Sequence, residues 1–137
     1  MSGSIYAYNT SRYEIAAQLK TKGTLTAGQA VKLVEFPSTS GFPVLKLDPA
    51  TSTDAILGVV PIGTSLTEAV PSRIVGLNSP IIPVLMAEDA VAGDYNLVAT
   101  VDGKFKKAKA GELAQAQLLE DTKSANVGWA KPVLFKL

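Results

Sequence analysis

Residues 94–105, DYNLVATVDGKF, decide the fold of this chain. Apolar side chains at every second position would share one face of an extended strand. The Asp102-Gly103 pair then supplies the positive φ angles of a two-residue type I′ turn, and a return strand begins with Lys104 and Phe105. The stretch predicts a β-hairpin. The residues expected on its inner face are Tyr95, Leu97, Ala99 and Val101.

On both sides of this hairpin, the sequence alternates between short apolar runs and turn residues. Gly, Pro, Asn, Asp and Ser separate the runs, which is typical of the short strands of a sandwich or barrel. The eight prolines interrupt any competing long helix. We therefore predict an all-β fold, a small β-barrel or β-sandwich. The predicted strands are 30–36, 42–47, 55–62, 72–77, 81–87, 94–101, 104–109, 114–120 and 127–137.

Residues 55–62, AILGVVPI, are apolar at both alternating sets of positions. A strand with two apolar faces is covered on both sides, although Pro61 limits regular pairing at its end. We expect this segment to lie in the core, or between the core and a neighbouring subunit.

The first 24 residues differ from the rest. Ser, Gly, Asn and Thr interrupt Ile5, Tyr6, Tyr8 and Tyr13 without a sustained period. Ile15 and Leu19 lie one helical turn apart, which permits a short helix. The sequence thus divides into an extended N-terminal arm, residues 1–24, and a β-barrel or sandwich domain, residues 25–137.

The composition favours an assembly. Apolar residues make up 47% of the chain and charged residues 18%, against about 25% in an average soluble protein. Apolar surface left by such an imbalance can be covered by neighbouring copies, because a subunit interface resembles a core cut in half. We expect a homo-oligomer.

The residue types that the sequence lacks exclude several classes of active site. The chain has no Cys and no His, which removes thiol nucleophiles, Ser-His-Asp triads and Cys/His zinc sites. A net charge of +1 gives no field for nucleic acid, and no apolar stretch reaches the roughly 18 residues of a membrane span. Without a recognisable signal peptide, we expect synthesis in the cytoplasm, with no nucleic acid or membrane partner.

An Ala-Gly pair followed by a polar residue precedes three predicted strands, at residues 26–29, 91–94 and 109–112. Glycine tolerates the left-handed conformation of such turns, so turn chemistry alone explains the repetition.

The same segments carry a family resemblance. In order, AGQAVKL at 27–33, DAILGVV at 54–60, AVAGD at 90–94 and NVGWA at 126–130 resemble the pattern of the decoration, or cement, proteins of tailed-bacteriophage capsids. The resemblance spans about residues 25–137. It implies a small β-barrel or sandwich, commonly trimeric, on the outer capsid surface where major capsid proteins meet. The longer arm departs from this family, so its role is not implied by the resemblance.

Carboxylates at Glu88, Asp89 and Asp94 suggest a glycosidase or calcium site. Adjacent strand residues point to opposite faces, however, and calcium needs about six or more oxygen ligands. We therefore predict a solvated turn, with no catalytic residues, no metal and no cofactor.

Lysines at 104, 106, 107 and 109 surround Phe105 and form the densest basic run of the chain. Such a run fits a nucleic-acid groove, but a single aromatic residue makes a poor stacking platform. Lysines that protect an exposed strand from edge pairing explain the run as well. If Lys104, Lys106 and Lys107 bind a partner, we expect an acidic patch on a capsid shell.

The arm supplies the other candidate contact residues: Ile5, Tyr6, Tyr8 and Tyr13. Aromatic residues are enriched at interfaces, so the segment suits docking on a neighbour, although disorder explains its composition equally well. Together with Tyr95 and Trp129, the tyrosines could instead line a sugar-binding face, but their spacing does not converge.

The sequence thus predicts a structural virion protein, not an enzyme, that decorates and cements the outer surface of a bacteriophage capsid. Its expected partners are the major capsid protein and itself, in a homotrimer. A carbohydrate-binding or receptor-binding β-module is the alternative.

Overall fold

The computed structural model describes residues 14–35, 44–93 and 96–133. Twelve strands and no helix occur in these ranges, so the predicted all-β class is confirmed. The strands are β1 (Glu14–Leu19), β2 (Thr24–Leu25), β3 (Ala30–Glu35), β4 (Leu45–Pro49), β5 (Gly58–Val59), β6 (Leu66–Thr67), β7 (Ser72–Gly76), β8 (Ile82–Leu85), β9 (Asn96–Ala99), β10 (Phe105–Lys107), β11 (Ala116–Leu118) and β12 (Val127–Pro132).

Each of the nine predicted strands overlaps an observed strand, β3 to β5 and β7 to β12, but most of the observed strands are shorter than predicted. The segment 55–62 changes most, because only Gly58 and Val59 pair as β5. Residues 58–61 are buried as expected, whereas Ile62 is exposed in the turn that begins at Pro61. Strands end at prolines and turns because these residues do not make the backbone hydrogen bonds that pair neighbouring strands.

A closed barrel forms the first half of the molecule, in the order β1-β4-β3-β5-β7. The β1–β4 pair is parallel and the other pairs are antiparallel. Alternate residues fill its interior, among them Ala17, Val31, Leu47 and Ile74. The short β2–β6 pair adds Leu25 and Leu66 to this core. Closure leaves the barrel without a free strand edge.

The short helix that we predicted around Ile15 and Leu19 is wrong, because these residues belong to strand β1. Ala17 and Leu19 are buried while Ala16 is exposed, which is the two-residue period of a strand. Pairing with both β4 and β7 closes the barrel and overrides the weak local helix signal. Residues 14–19, which we had assigned to the arm, are therefore part of the barrel. Residues 1–13 lie outside the described residues.

The second half is a five-stranded sheet in the order β10-β9-β11-β12-β8. Its two outer strands approach each other, because Met86, directly after β8, bridges Phe105 and the Ala87 amide donates to the Phe105 carbonyl at 2.7 Å. Val59 and Val75 of the barrel pack in one apolar cluster with Phe105 and Leu97 of this sheet. The barrel and the sheet thus share a core.

The predicted hairpin is confirmed as the β9–β10 pair, but the predicted turn type is wrong. Gly103 has a φ of 82°, whereas Asp102 does not have a positive φ, as a type I′ turn would require. The Thr100 amide donates to the Lys104 carbonyl, which leaves a three-residue loop. Asp102 accepts hydrogen bonds from the Thr100 hydroxyl and the Lys104 amide instead. Leu97 and Ala99 are buried as predicted, but Val101 at the loop is 82% exposed.

Strands β10 and β11 both run antiparallel to β9, so the chain between them must cross β9. Gln115, at the end of this crossing, is buried and fully hydrogen-bonded. Its Oε1 accepts from the Ala99 amide at 2.6 Å, and its Nε2 donates to the carbonyls of Thr51 and Asp54. One side chain thus joins the sheet to the loop between β4 and β5 of the barrel.

Residues 28–30, the junction segment, join the two halves through the backbone. The Gly28 amide donates to the Val60 carbonyl at 2.8 Å, and the Gly28 carbonyl accepts from the Leu85 amide at 3.0 Å. Ala30 donates to the Gly103 carbonyl at 2.8 Å. Gln29 adds a bond from its Nε2 to the Asp102 carbonyl. The segment therefore holds a barrel strand, strand β8 and the hairpin turn in fixed positions.

Gly28 can make these contacts because it has no side chain. Its φ is 87°, and a Cβ atom there would overlap the Leu85 backbone nitrogen. Gly63 has a similar φ of 76°, but a Cβ atom there would meet nothing within 4 Å. A substitution at Gly63 would thus introduce backbone strain alone, whereas the same substitution at Gly28 would add a steric overlap with strand β8.

Replacing Gly63 by Ala should therefore lower the free energy of unfolding by about 1 kcal/mol, through backbone strain alone. Gly28→Ala should lower it by about 3 kcal/mol or more, because overlap with strand β8 adds to the strain. Urea unfolding followed by circular dichroism measures both. Equal losses for the two variants would contradict the role assigned to the junction segment.

Candidate functional site

The arm residues that we predicted to bind a partner, Ile5, Tyr6, Tyr8 and Tyr13, lie outside the described residues. Tyr95 also lies outside them, so the sugar-binding alternative rests on Trp129 alone among the aromatic residues named for it. These assignments stay predictions.

The predicted basic run is divided by the geometry of β10. Lys106 lies opposite Val98, while Phe105 and Lys107 lie opposite Ala99 and Leu97 on the other face. Lys104 Nζ lies 3.6 Å from Asp102 Oδ2, and Lys107 Nζ lies 3.5 Å from Glu88 Oε2. The three lysines therefore do not form one continuous basic face, and two of them already have a carboxylate partner. Whether they contact a partner protein stays a prediction.

The acidic residues that suggested a metal or glycosidase site have structural roles. Glu88 pairs with Lys107, and Asp89 lies near Lys123. The Ser124 amide donates to Asp89 Oδ1 at 2.8 Å and holds the pKa of that carboxyl below its usual range, with Lys123 contributing. Asp94 lies outside the described residues. In the described ranges, no three Asp or Glu side chains gather closely enough to hold a metal ion.

A groove of about 530 Å³ lies between residues 52–55 of the barrel side and 111–115 of the crossing loop. Leu113 is 66% exposed at its rim, and Gln115 lines it with every polar atom bonded. No buried side-chain nitrogen or oxygen of the described residues lacks a hydrogen-bond partner. The buried Gln115 thus has no unbonded polar atom with which to orient a small substrate in this groove.

The described residues also include no helix long and apolar enough to cross a membrane.

The outer face of the sheet carries a feature that the sequence reasoning missed. Trp129 of β12 pairs with Pro83 of β8, and Leu119, just after β11, donates its amide to the Trp129 carbonyl at 2.9 Å. Residues opposite each other across strands share a face, so the three side chains form a row. In the sequence, the small residues Gly128 and Ala130 alternate with the larger Val127 and Trp129, and the structure buries the first two and leaves the other two half-exposed. From the sequence, we considered Trp129 only as a member of a sugar-binding set.

Comparisons with known proteins identify a shared fold. No family model and no curated protein matches the chain. Among solved structures, the N base of the head fiber gp8.5 of bacteriophage phi29 is similar, with a TM-score of 0.57 and 12% sequence identity. The similarity covers 88% of this chain and 92% of that one. The two proteins therefore have the same fold over nearly their whole lengths.

The stability of the protein should depend on pH through the aspartates that accept hydrogen bonds within turns. Partial burial acts to raise the pKa of Asp102, but hydrogen bonds from Thr100 and the Lys104 amide outweigh it, so the pKa is lowered. The pKa of Asp89 is lowered too, mainly by the Ser124 amide. A carboxyl group whose pKa is lower in the folded state than in the unfolded state stabilises the fold at a pH above the unfolded pKa of about 4. This stabilisation is lost as the pH falls from there through the folded-state pKa.

Asp102→Asn should therefore reduce stability at pH 7, with a difference from wild type that shrinks as the pH falls through about 4. Thermal unfolding from pH 7 to pH 3 measures this difference. Asp121→Asn is a control, since within the part of the chain that the structure describes this exposed carboxylate accepts one backbone hydrogen bond, from the Ala92 amide. A constant gap between wild type and Asp102→Asn at every pH would contradict the assignment.

Proposed function

We propose that this chain is a structural protein of a tailed-bacteriophage head, which binds the outer surface of the capsid and stabilises it without catalysis. The observation that carries the proposal is the end-to-end similarity to the head-fiber base of phi29, which covers 92% of that chain. A shared fold by itself permits many functions. Here it agrees with an independent resemblance in the sequence, whose motifs occur in the order found in capsid decoration proteins.

The arrangement of polar groups supports a binding role over an enzymatic one. Glu88, Asp89 and Asp102 are occupied by ion pairs and by turn hydrogen bonds. A catalytic acid or base must reach a substrate in a suitable pocket. Asp102 lines a groove of about 510 Å³ and Asp89 one of about 160 Å³, but both carboxylates accept hydrogen bonds from their own turns. The geometry thus favours recognition through surface shape and apolar contact.

Cementing is the finer part of the proposal. A protein that binds only the assembled shell raises the stability of that shell with the logarithm of its concentration over its dissociation constant. Many copies that bridge adjacent major capsid proteins, each copy within a homotrimer, would therefore raise the temperature at which a particle releases its DNA.

Particles of the encoding phage, prepared with and without this protein, test the proposal. The protein should sediment with particles, saturate at a fixed copy number and raise the temperature of DNA release, measured with a DNA-binding dye. Glu88→Gln with Asp89→Asn should bind and protect like wild type. Failure of the unmodified protein to bind particles would refute the proposal, and loss of protection in the double variant alone would restore a chemical role for that turn.

The arm can be tested by truncation at a structurally chosen point. A chain of residues 14–137 keeps β1 and should fold, but we expect it to bind particles more weakly, because Tyr6, Tyr8 and Tyr13 are lost. A chain of residues 21–137 loses β1 and with it the pairs to β4 and β7, so it should not form the barrel. Circular dichroism and sedimentation measure folding and binding. Full binding by residues 14–137 would remove the arm from the interface.

A further inference from the structure

The groove between residues 52–55 and 111–115 lies where the last described strand ends. Strand β12 pairs with β11 up to Pro132, and the Val133 amide extends this pairing by donating to the Gln115 carbonyl at 3.1 Å. Gln115 also lines the groove. Val133 is the last residue that the structure describes, so the segment that follows it, residues 134–137, starts beside the groove.

The partner strand of β12 turns away at the same point. The Gln115 amide donates to the Leu97 carbonyl of β9 at 2.8 Å, so the chain before Gln115 follows the crossing over β9 and not the edge of β12. Backbone pairing between β11 and β12 thus ends at Val133, and the groove opens there.

The short length of residues 134–137 limits where they can bind. An extended chain spans at most about 3.6 Å per residue, so these four residues stay within roughly 14 Å of Val133. The groove, whose wall is hydrogen-bonded to Val133, lies inside this range. A short tether also gives the segment a far higher effective concentration at the groove than a separate molecule has. Occupation by the chain's own segment is therefore favoured over occupation by a second copy.

The apolar character of the segment matches that of the groove. Residues 134–137 read LFKL, which is three large apolar residues and one lysine. In the groove, the Leu113 side chain is 66% exposed and Ala55 is exposed as well. Burying exposed apolar surface is the main favourable term in such a contact.

The charges of the segment and the groove are also complementary. Asp54 and Glu112 line the groove, and none of its described lining residues is a Lys or an Arg. Asp54 pairs with Lys32 at 3.3 Å. The Lys109 amide donates to Glu112 Oε1 at 2.8 Å and holds the pKa of that carboxyl below its usual range, with the charges of nearby lysines contributing. Lys136, in a segment without acidic residues, is thus suited to this wall.

We propose that residues 134–137 dock in the groove of their own chain, where Phe135 covers Leu113 and Lys136 lies near Glu112. The docked segment contacts the loop between β4 and β5 and the crossing loop together. It therefore clamps the barrel to the sheet beside Gln115, as the junction segment does at residues 28–30. The inference does not depend on the proposed function, because it concerns contacts within one chain.

A double-mutant cycle between the segment and the groove tests this docking. Phe135→Ser and Leu113→Ser are made separately and together in the chain of residues 1–137, and urea unfolding gives the unfolding equilibrium constant of each variant. In the control cycle, Val70→Ser replaces Leu113→Ser, because Val70 is 63% exposed and does not line the groove. Every variant is measured at a low and at a high protein concentration.

Phe135→Ser should raise the unfolding equilibrium constant by about tenfold, because the docked ring is lost. Its effect should be much smaller when Leu113→Ser is already present and should be undiminished beside Val70→Ser. Additive effects of Phe135→Ser and Leu113→Ser, or no effect of Phe135→Ser, would overturn the docking. A coupling that grows with protein concentration would overturn it too, since the groove would then hold the segment of a second copy.

Hydrogen exchange gives a second readout that needs no substitution. The backbone amides of residues 52–55 and 111–114 should exchange about tenfold faster in a chain of residues 1–133, which keeps β12, than in the chain of residues 1–137. Equal exchange in the two chains would contradict the docking.

Discussion

The backbone hydrogen bonds of residues 28–30 are the contact on which the rest of the structure depends. They connect β5 of the barrel, β8 of the sheet and the β9–β10 turn within three consecutive residues. Such bonds need the strands to approach closely, and only glycine at position 28 leaves room for Leu85. The shared core of Val59, Val75, Leu97 and Phe105 can then form between the two halves. Packing and hydrogen bonding thus enforce the same arrangement.

This arrangement also determines how the molecule can bind. The barrel is closed, and a bridge between Met86 and Phe105 ties the outer strands of the sheet. Exposed strand edges are templates for adding a further strand, and few such edges remain here. Recognition must therefore use side chains on the faces of strands and loops.

Local patterns in the sequence predicted the strands well, because a buried strand leaves a period of two in the residues that form it. Leu97 and Ala99 followed this rule in the hairpin. The predictions failed where the structure of a segment depends on strands that are distant in the sequence. Ile15 and Leu19 fit a helix as well as a strand, and only pairing with β4 and β7 decides between them. Likewise, Gly28, Gly93 and Gly111 each occupy a left-handed turn after an alanine, but only Gly28 is pressed against another strand.

The candidate surface was harder to predict than the fold. Charged residues drew attention to Lys104 and Lys107, yet two carboxylates of this chain already pair with them. Trp129 and Leu119 are ten residues apart and become neighbours only through the β11–β12 register, which no local pattern specifies. The turn type was also misjudged: the hairpin closes through a three-residue loop in which Gly103 has a positive φ and Asp102 does not, and the Asp102 carboxylate accepts hydrogen bonds from Thr100 and Lys104.

The most direct test of this account is an electron cryo-microscopy map of a particle that contains the protein. The account predicts density for the barrel and sheet on the outside of the capsid, in one fixed orientation at every occupied site. Density that places the protein inside the head or on the tail would contradict the proposed function.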